Sequence, residues 1–209
     1  MGEIVLKLVM QLRWFFLVIL VLILFYRPIR DNLLPRLGGF KAGGLEILFA
    51  ADSMDASIEL AEKDQRWKVK VSAVDKRRVL NRVKQHLNIL KGVQVLWVDD
   101  YPENNINERR MFRQLETEID IARSTQEALD ILKNGRYDVV FSDMARGENA
   151  AAGLEFLEQF RNTDKTTPVI FYIGVFNPEK GTPAQAFGIT NRPDELLHLT
   201  LDALERKKY

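Results

Sequence analysis

Three aspartates are the side chains of this sequence best suited to chemistry, because they follow short apolar runs. Asp99 and Asp100 come directly after VQVLWV, and Asp143 comes directly after YDVVFS. Carboxylates within a few ångströms of one another either raise one another's pKa or are held by a cation. Oxygen ligands without His or Cys suit Mg²⁺. A single acidic strand end is more often solvated surface, but two such ends in one α/β pattern predict a magnesium site.

The segments around these aspartates alternate between short apolar runs and amphipathic helical patterns. Strands are predicted at 93–100, at EIDIARS (118–124), at 137–144, at 167–174 and at FGITNR (187–192). Helices are predicted after Pro102, at 124–134, at 151–162 and from Pro193 onward. Five β/α units in succession predict an α/β fold, a doubly wound five-stranded parallel sheet with helices on both faces. Such a sheet binds ligands beyond the carboxyl ends of its strands, where the three aspartates fall.

Local signals set the limits of some of these helices. Ser124 and Glu127 have the spacing of a capping box at a helix start. Gly135 suits the end of the same helix, and Pro193 suits the first turn of the last helix.

Composition excludes several classes of site. The chain has 209 residues and no cysteine, so disulfides and thiolate metal sites are excluded. No Gly-rich phosphate loop or Ser/His/Asp set is present, and we interpret the isolated His86 and His198 as structural. Residues 1–92 hold 16 Lys/Arg and 9 Asp/Glu, whereas residues 93–209 hold 14 and 20. A basic half beside an apolar run favours contact with anionic lipid over nucleic acid.

An apolar run near the N-terminus is long enough to cross a membrane. Within residues 4–26 only Lys7, Gln11 and Arg13 are not apolar, and about 20 residues span the hydrocarbon. We therefore predict that residues 1–27 are a membrane anchor, a transmembrane helix that contacts lipid through residues 4–26. More basic residues follow the run than precede it, which predicts a single-pass protein of the cell (inner) membrane with a cytoplasmic C-terminal domain.

Two other interpretations of this run are less favoured. A secretory signal peptide would be followed by a cleavage site of small residues, whereas RPIRDNLLPRLGG follows here. A buried core helix would keep a polar face, which 13 consecutive large apolar residues do not provide.

Residues 28–92 are the predicted juxtamembrane connector. Prolines and glycine pairs break its first part, and FKAGGLEILFA (40–50) fits either a short strand or an interfacial segment. A polar helix is predicted at 52–65 and a basic helix at 76–91.

The basic helix carries an apolar stripe at alternating steps of three and four residues. The stripe consists of Leu80, Val83, Leu87 and Leu90. Two heptads are too few to specify a coiled coil, so we predict that the stripe packs on the α/β domain, with a homodimer through these residues as the alternative. The positive residues of this helix fit a solvated or lipid-facing surface, and without interleaved aromatics they predict no nucleic-acid partner.

With these acids at these strand ends, the chain resembles the receiver domain of two-component response regulators over residues 93–206. The resemblance implies that Asp99, Asp100 and Asp143 bind Mg²⁺ together with the backbone carbonyl of Ala145. It also implies that Asp143 is the phosphoacceptor, which takes a phosphoryl group from a phosphohistidine. A histidine kinase or another signalling protein is accordingly the expected partner.

Three positions depart from the family's pattern. Ile173 stands where the fourth strand usually ends in Thr or Ser, so no hydroxyl is available there for a phosphoryl oxygen. Ile189 stands at the aromatic switch position. Arg192 replaces the usual Lys before Pro, and the resemblance makes it the charge partner of the phosphate. Its planar guanidinium would take the place of the compact ammonium of Lys. Residues 175–187 look too irregular for a full fourth helix, so the usual route from phosphate to surface change is not expected.

The sequence as a whole predicts a membrane-anchored, receiver-like signalling or interaction module at 93–209, a phosphoacceptor rather than an enzyme that turns over a substrate. The alternative is a degenerate receiver that keeps its acids, has lost its switch and docks a protein constitutively. A third interpretation, by analogy of fold alone, is a TIR-like or nucleotide-processing effector of a bacterial defence system. Its available glutamates, Glu148 and Glu155, fit solvated charges better.

Overall fold

The computed structural model of the protein describes residues 44–65 and 67–207. The predicted anchor at 1–27 and the first part of the connector, through residue 43, lie outside the described residues. Among the helices that are described, none is both long enough and apolar enough to cross a membrane.

The predicted parallel sheet is confirmed. Its strands are β1 Gln94–Val98, β2 Glu118–Ala122, β3 Val139–Ser142, β4 Val169–Tyr172 and β5 Gly188–Thr190. They lie in the order β2-β1-β3-β4-β5, and every neighbouring pair is parallel. Val98 of β1 is the register partner of Ser142 of β3. Because these are the last residues of two adjacent strands, the chain leaves both strands at the same edge of the sheet.

Six α-helices accompany the strands within residues 44–65 and 67–207, the part of the chain that the structure describes. They are α1 Gly44–Lys63, α2 Ala73–Leu90, α3 Ile106–Gln114, α4 Thr125–Asn134, α5 Ala152–Arg161 and α6 Pro193–Arg206. The sequence signals act as predicted: the Ser124 side chain accepts a hydrogen bond from the Glu127 backbone N–H, and Gly135 follows the last residue of α4. Pro193 occupies the first turn of α6.

The sheet separates two apolar layers. On one face, Leu96, Val140 and Phe171 pack with side chains of α4 and α5. On the other face, Trp97 and Tyr172 pack with side chains of α3 and α6. The pattern follows from the alternation of side chains along a strand, and burial on both faces explains why the strands are almost wholly apolar.

Helices α1 and α2 pack on the same side of the sheet as α3 and α6. Ala50 and Met54 of α1 are fully buried in the same cluster as the α3 and α6 side chains. The segment predicted as a short strand or interfacial segment is helical from Gly44, and it is continuous with the predicted polar helix. The sequence did not reveal this helix start, because its buried positions are mostly small residues such as Ser53 and Ser57.

The apolar stripe of α2 packs inside the same chain, as predicted. Val83 and Leu90 are fully buried and Leu87 is 8% exposed, while Leu80 is partly buried. The alternative prediction, a homodimer through this stripe, gains no support, because these side chains are covered within the same chain. Arg82 strengthens the attachment, since its guanidinium donates to Asp202 and Glu205 of α6 at 2.5 and 2.9 Å.

The segment between β4 and β5 lacks a full helix, as predicted. Its described backbone contains only a short 3₁₀ turn, Pro178–Lys180. The Arg161 guanidinium of α5 donates to the backbone carbonyl of Gln185 at 3.1 and 3.2 Å, which holds the end of this segment against the domain.

Candidate functional site

The three predicted aspartates meet at the carboxyl edge of the sheet. Asp99, Asp100 and Asp143 each present a carboxylate oxygen, and these oxygens lie within 4.8 Å of one another. They line a cavity of about 190 Å³ together with Ala145 and Ile173. The structure thus brings together the three aspartates that the sequence singled out, and Ala145 lines the same cavity.

Asp99 is held rigidly at the end of β1. It is only 5% exposed, and its carboxylate accepts hydrogen bonds from the Tyr101 backbone N–H at 2.7 Å and from the Asn105 side-chain amide at 2.5 Å. Burial raises the pKa of Asp99, while these hydrogen bonds oppose the rise. The carboxylate thus has fixed donors on one side and faces the other acids on the cavity side.

Asp100 joins the loop after β1 to the loop after β3. Its carboxylate accepts a hydrogen bond from the Gly147 backbone N–H at 2.7 Å. Gly147 has a φ of +56°, a conformation that glycine adopts without the steric cost of a Cβ. This contact fixes the loop that carries Ala145 beside the acids.

Asp143 follows β3 directly, and among the three acids of the cavity its pKa is raised to the clearest extent. The Met144 backbone N–H donates to its carboxylate at 2.7 Å. Burial, together with the neighbouring charges of Asp99 and Asp100, raises the pKa of Asp143 to about 6 against the opposing hydrogen bond from Met144. The carboxylate is therefore mostly ionised at neutral pH, but its surroundings disfavour the negative charge.

This environment suits a divalent cation. Among the described residues, no Lys or Arg lines the cavity, so the three carboxylates face one another without a cationic side chain between them. Mg²⁺ takes oxygen ligands from one or two carboxylates and keeps several waters. The oxygen donors and the excess of carboxylates on the cavity wall therefore fit the ion predicted from the sequence.

Arg192 is not brought into the acidic cavity. Its guanidinium pairs with Asp194 at 2.6 Å and with Asp75 of α2 at 3.3 Å. Ile173 does line the cavity, and it offers no hydroxyl there. Ile189 is partly buried against the α4 and α5 side of the core.

Arg146 supports the site and was not predicted from the sequence. It is 7% exposed, and its guanidinium donates to the Ser142 hydroxyl at 3.0 Å and to the Asp143 backbone carbonyl at 2.7 Å. The same group donates to the Thr125 hydroxyl and to the Ala152 carbonyl. An arginine in a polar loop carries no sequence signal of such burial, since its partners come from three different elements.

Trp67 is the second residue that the sequence did not reveal. It lies in the connection between α1 and α2, far from the aspartates in the sequence, yet it lines the same cavity. No motif marks this position, because only the packing of α1 and α2 on the sheet brings the indole to the site.

Comparison with known proteins agrees with this geometry. Residues 95–188 match the family model of the response regulator receiver domain. No protein with a curated description matches the chain.

Among solved structures, the chain is similar to the chemotaxis response regulator CheY4 of Vibrio cholerae, with 26% identity over 55% of this chain and 99% of that chain and a TM-score of 0.46. It is also similar to the response regulator TrrA of Thermotoga maritima, solved in complex with Mg²⁺ and BeF, with 23% identity over 53% of this chain and 98% of that chain and a TM-score of 0.47. Over residues 95–188, which carry the three aspartates, this chain is therefore similar to a response regulator receiver domain.

Proposed function

We propose that this receiver domain binds Mg²⁺ through Asp99, Asp100, Asp143 and the backbone carbonyl of Ala145, and that Asp143 accepts a phosphoryl group. The observation that carries the proposal is the approach of three carboxylate oxygens to within 4.8 Å in one small cavity. A phosphohistidine of a histidine kinase or another signalling protein is the proposed donor, in keeping with the receiver family.

The residues of the cavity are suited to this transfer. With a pKa of about 6, Asp143 is mainly a carboxylate at neutral pH and can act as the nucleophile. Its oxygen forms a bond to phosphorus as the bond from phosphorus to the donor nitrogen breaks, and the departing imidazole takes up a proton from solvent. Bound Mg²⁺ supplies charge neutralisation on the transferred oxygens. Two hydrogen bonds fix the Asp99 carboxylate, so that it can present an oxygen ligand to the cation.

We propose further that phosphorylation moves the surface of this domain little. Ile173 has no hydroxyl to follow a phosphoryl oxygen, and Ile189 is not an aromatic ring that can swing. Arg192 is engaged by Asp194 and Asp75, so it would have to break two ion pairs to reach a phosphate. These observations also favour a second candidate function, a degenerate receiver that docks its partner constitutively.

The membrane anchor is part of the proposal. It is supported by residues 4–26, in which only Lys7, Gln11 and Arg13 are not apolar, and by the basic residues that follow them. The receiver domain would then act from the cytoplasmic side of the cell membrane as a single-pass protein.

The metal site is tested by thermal unfolding of the full chain with and without Mg²⁺. A ligand that binds only the folded state stabilises it by mass action, so Mg²⁺ should raise the melting temperature. Replacement of Asp99 and Asp100 together by Asn should abolish the rise, because two of the three carboxylates are lost.

Asp130→Asn is the matched control, since Asp130 is exposed on α4 and pairs with Lys133, away from the cavity. It should keep the full response to Mg²⁺. Equal melting temperatures of the unmodified protein with and without Mg²⁺ would remove the basis of the proposal.

A further inference from the structure

The indole of Trp67 lies directly against the backbone that follows β4. A Cβ built on Gly174 would come within 2.8 Å of Trp67 Nε1 and 3.0 Å of its Cε2, so any larger residue would displace the ring. Gly174 follows Ile173, the position without a hydroxyl, and both residues line the acidic cavity with Trp67. The ring thus closes the side of the cavity where a polar side chain is missing.

The position of Trp67 is fixed by hydrogen bonds. The side-chain amide of Asn191 donates to the Trp67 backbone carbonyl at 2.8 Å and to the Gly174 carbonyl at 3.3 Å, which ties the two segments together. The Trp67 backbone N–H donates to the Asp64 carbonyl at 3.0 Å. The Trp67 backbone is therefore bound to the end of the sheet by a side chain that follows β5.

The indole nitrogen lies beside the cavity, against Gly174. Trp Nε1 is a donor only, so it can serve an oxygen of a bound anion but not a cation. An anion attached to Asp143 would add oxygens to a cavity that already holds three carboxylates, and such oxygens need donors. A neutral N–H on the Gly174 side can satisfy one of them without a second charged residue.

We propose that Trp67 is a positioning residue of the acidic site, which covers its Gly174 side and donates the indole N–H to an oxygen of the anion held at Asp143. This inference rests on the proposed function, because it requires a phosphoryl group or its mimic at Asp143. It assigns part of the site to the connection between α1 and α2, outside residues 95–188 that match the receiver family. Anion binding and the docking of these helices are then coupled.

The test uses the full chain and beryllofluoride, a mimic of an aspartyl phosphoryl group, added after saturation with Mg²⁺. In the unmodified protein, beryllofluoride should change the tryptophan emission. Trp67→Phe keeps a ring and removes the donor, so it should lose this change, bind Mg²⁺ normally and bind beryllofluoride about fivefold more weakly, as expected for one net hydrogen bond. Gly174→Ala, which forces the ring away, should weaken beryllofluoride binding in the same direction.

Tyr137→Phe is the matched control, because it removes a polar atom from a ring that bonds Asp120, away from the cavity. It should behave as the unmodified protein. If Mg²⁺ binds and Trp67→Phe retains full affinity for beryllofluoride and the full emission change, the inference is wrong while the proposed metal site stands. If the unmodified protein binds neither Mg²⁺ nor beryllofluoride, the proposed function fails and the inference fails with it.

Discussion

At the scale of single residues, the acidic cavity places Asp143 in an environment that disfavours its charge. Its pKa is about 6 in the folded protein against an ordinary value of 3.8, so the folded state binds more protons than the unfolded chain between these pH values. The Asp143 carboxyl therefore contributes most to the free energy of unfolding below about pH 4. This contribution is lost as the pH rises through about 6. A cation at the site would offset the same penalty.

Asp143→Asn should therefore stabilise the protein when no metal is present. At pH 7 with a chelator we expect a gain of about 1 kcal/mol, after allowance for solvent screening, or about 3 °C in melting temperature. At pH 5 the difference should shrink, because Asp143 is then largely protonated in the folded state. Thermal unfolding of both proteins at the two pH values measures this, and a variant that melts below the unmodified protein at pH 7 would contradict the electrostatic argument.

Arg146 should matter for stability more than any exposed arginine. Arg146→Ala removes donors from the Ser142 hydroxyl and the Asp143 carbonyl in a buried setting, and we expect a loss of about 3 kcal/mol in the free energy of unfolding. Arg136→Ala is the control, because Arg136 is exposed and should cost less than about 0.5 kcal/mol. Urea unfolding of the two variants tests this, and equal losses would show that the Arg146 network contributes little.

At the scale of elements, the periodic patterns predicted a parallel sheet, the order of its strands and helices along the chain, and the side of α2 that is buried. The positions of the three aspartates at one edge of the sheet could be predicted, because the apolar runs indicate where the strands end, as at Val98 and Ser142. The start of α1 could not, since its large side chains Leu48 and Phe49 are 54% and 50% exposed while small residues face the core. The hydrophobic period was thus misleading where the helix begins.

Contacts between distant segments explain what else the sequence did not predict. Arg192 was expected beside the phosphate, but Asp75, which pairs with it, is supplied by α2 through tertiary packing. Trp67 reaches the cavity for the same reason, because the connection between α1 and α2 is placed by the helices that flank it. Neither the Asp75–Arg192 contact nor the approach of Trp67 to the cavity is marked by a periodic or motif signal.

Helix α2 should be an integral part of the folding unit. Leu90 is fully buried in the core shared with α6, so Leu90→Ala should lower the free energy of unfolding by about 3 kcal/mol. Val74→Ala, at a position that is 65% exposed on the same helix, should cost less than about 0.5 kcal/mol. Urea unfolding that finds the two variants equally stable would mean that α2 is dispensable for the receiver domain.

At the scale of the whole molecule, the proposal joins a receiver domain to a membrane anchor. The full chain should sediment with membranes, and deletion of residues 1–27 should release it, because the apolar run is removed. A reporter fused after residue 209 should behave as cytoplasmic. A chain with Lys7 and Arg13 replaced by Gln is the control, since it keeps the apolar run and should still sediment with membranes. Recovery of the intact chain in the soluble fraction would contradict the anchor.

The central claim is that Asp143, with Mg²⁺ at the three acids, accepts a phosphoryl group. Intact mass measurement after incubation with a small phosphodonor tests it most directly. The account predicts that the full chain gains the mass of one phosphoryl group only when Mg²⁺ is present, and that Asp143→Asn gains none. No gain by the unmodified protein in Mg²⁺, or an equal gain by the Asp143→Asn variant, would contradict it.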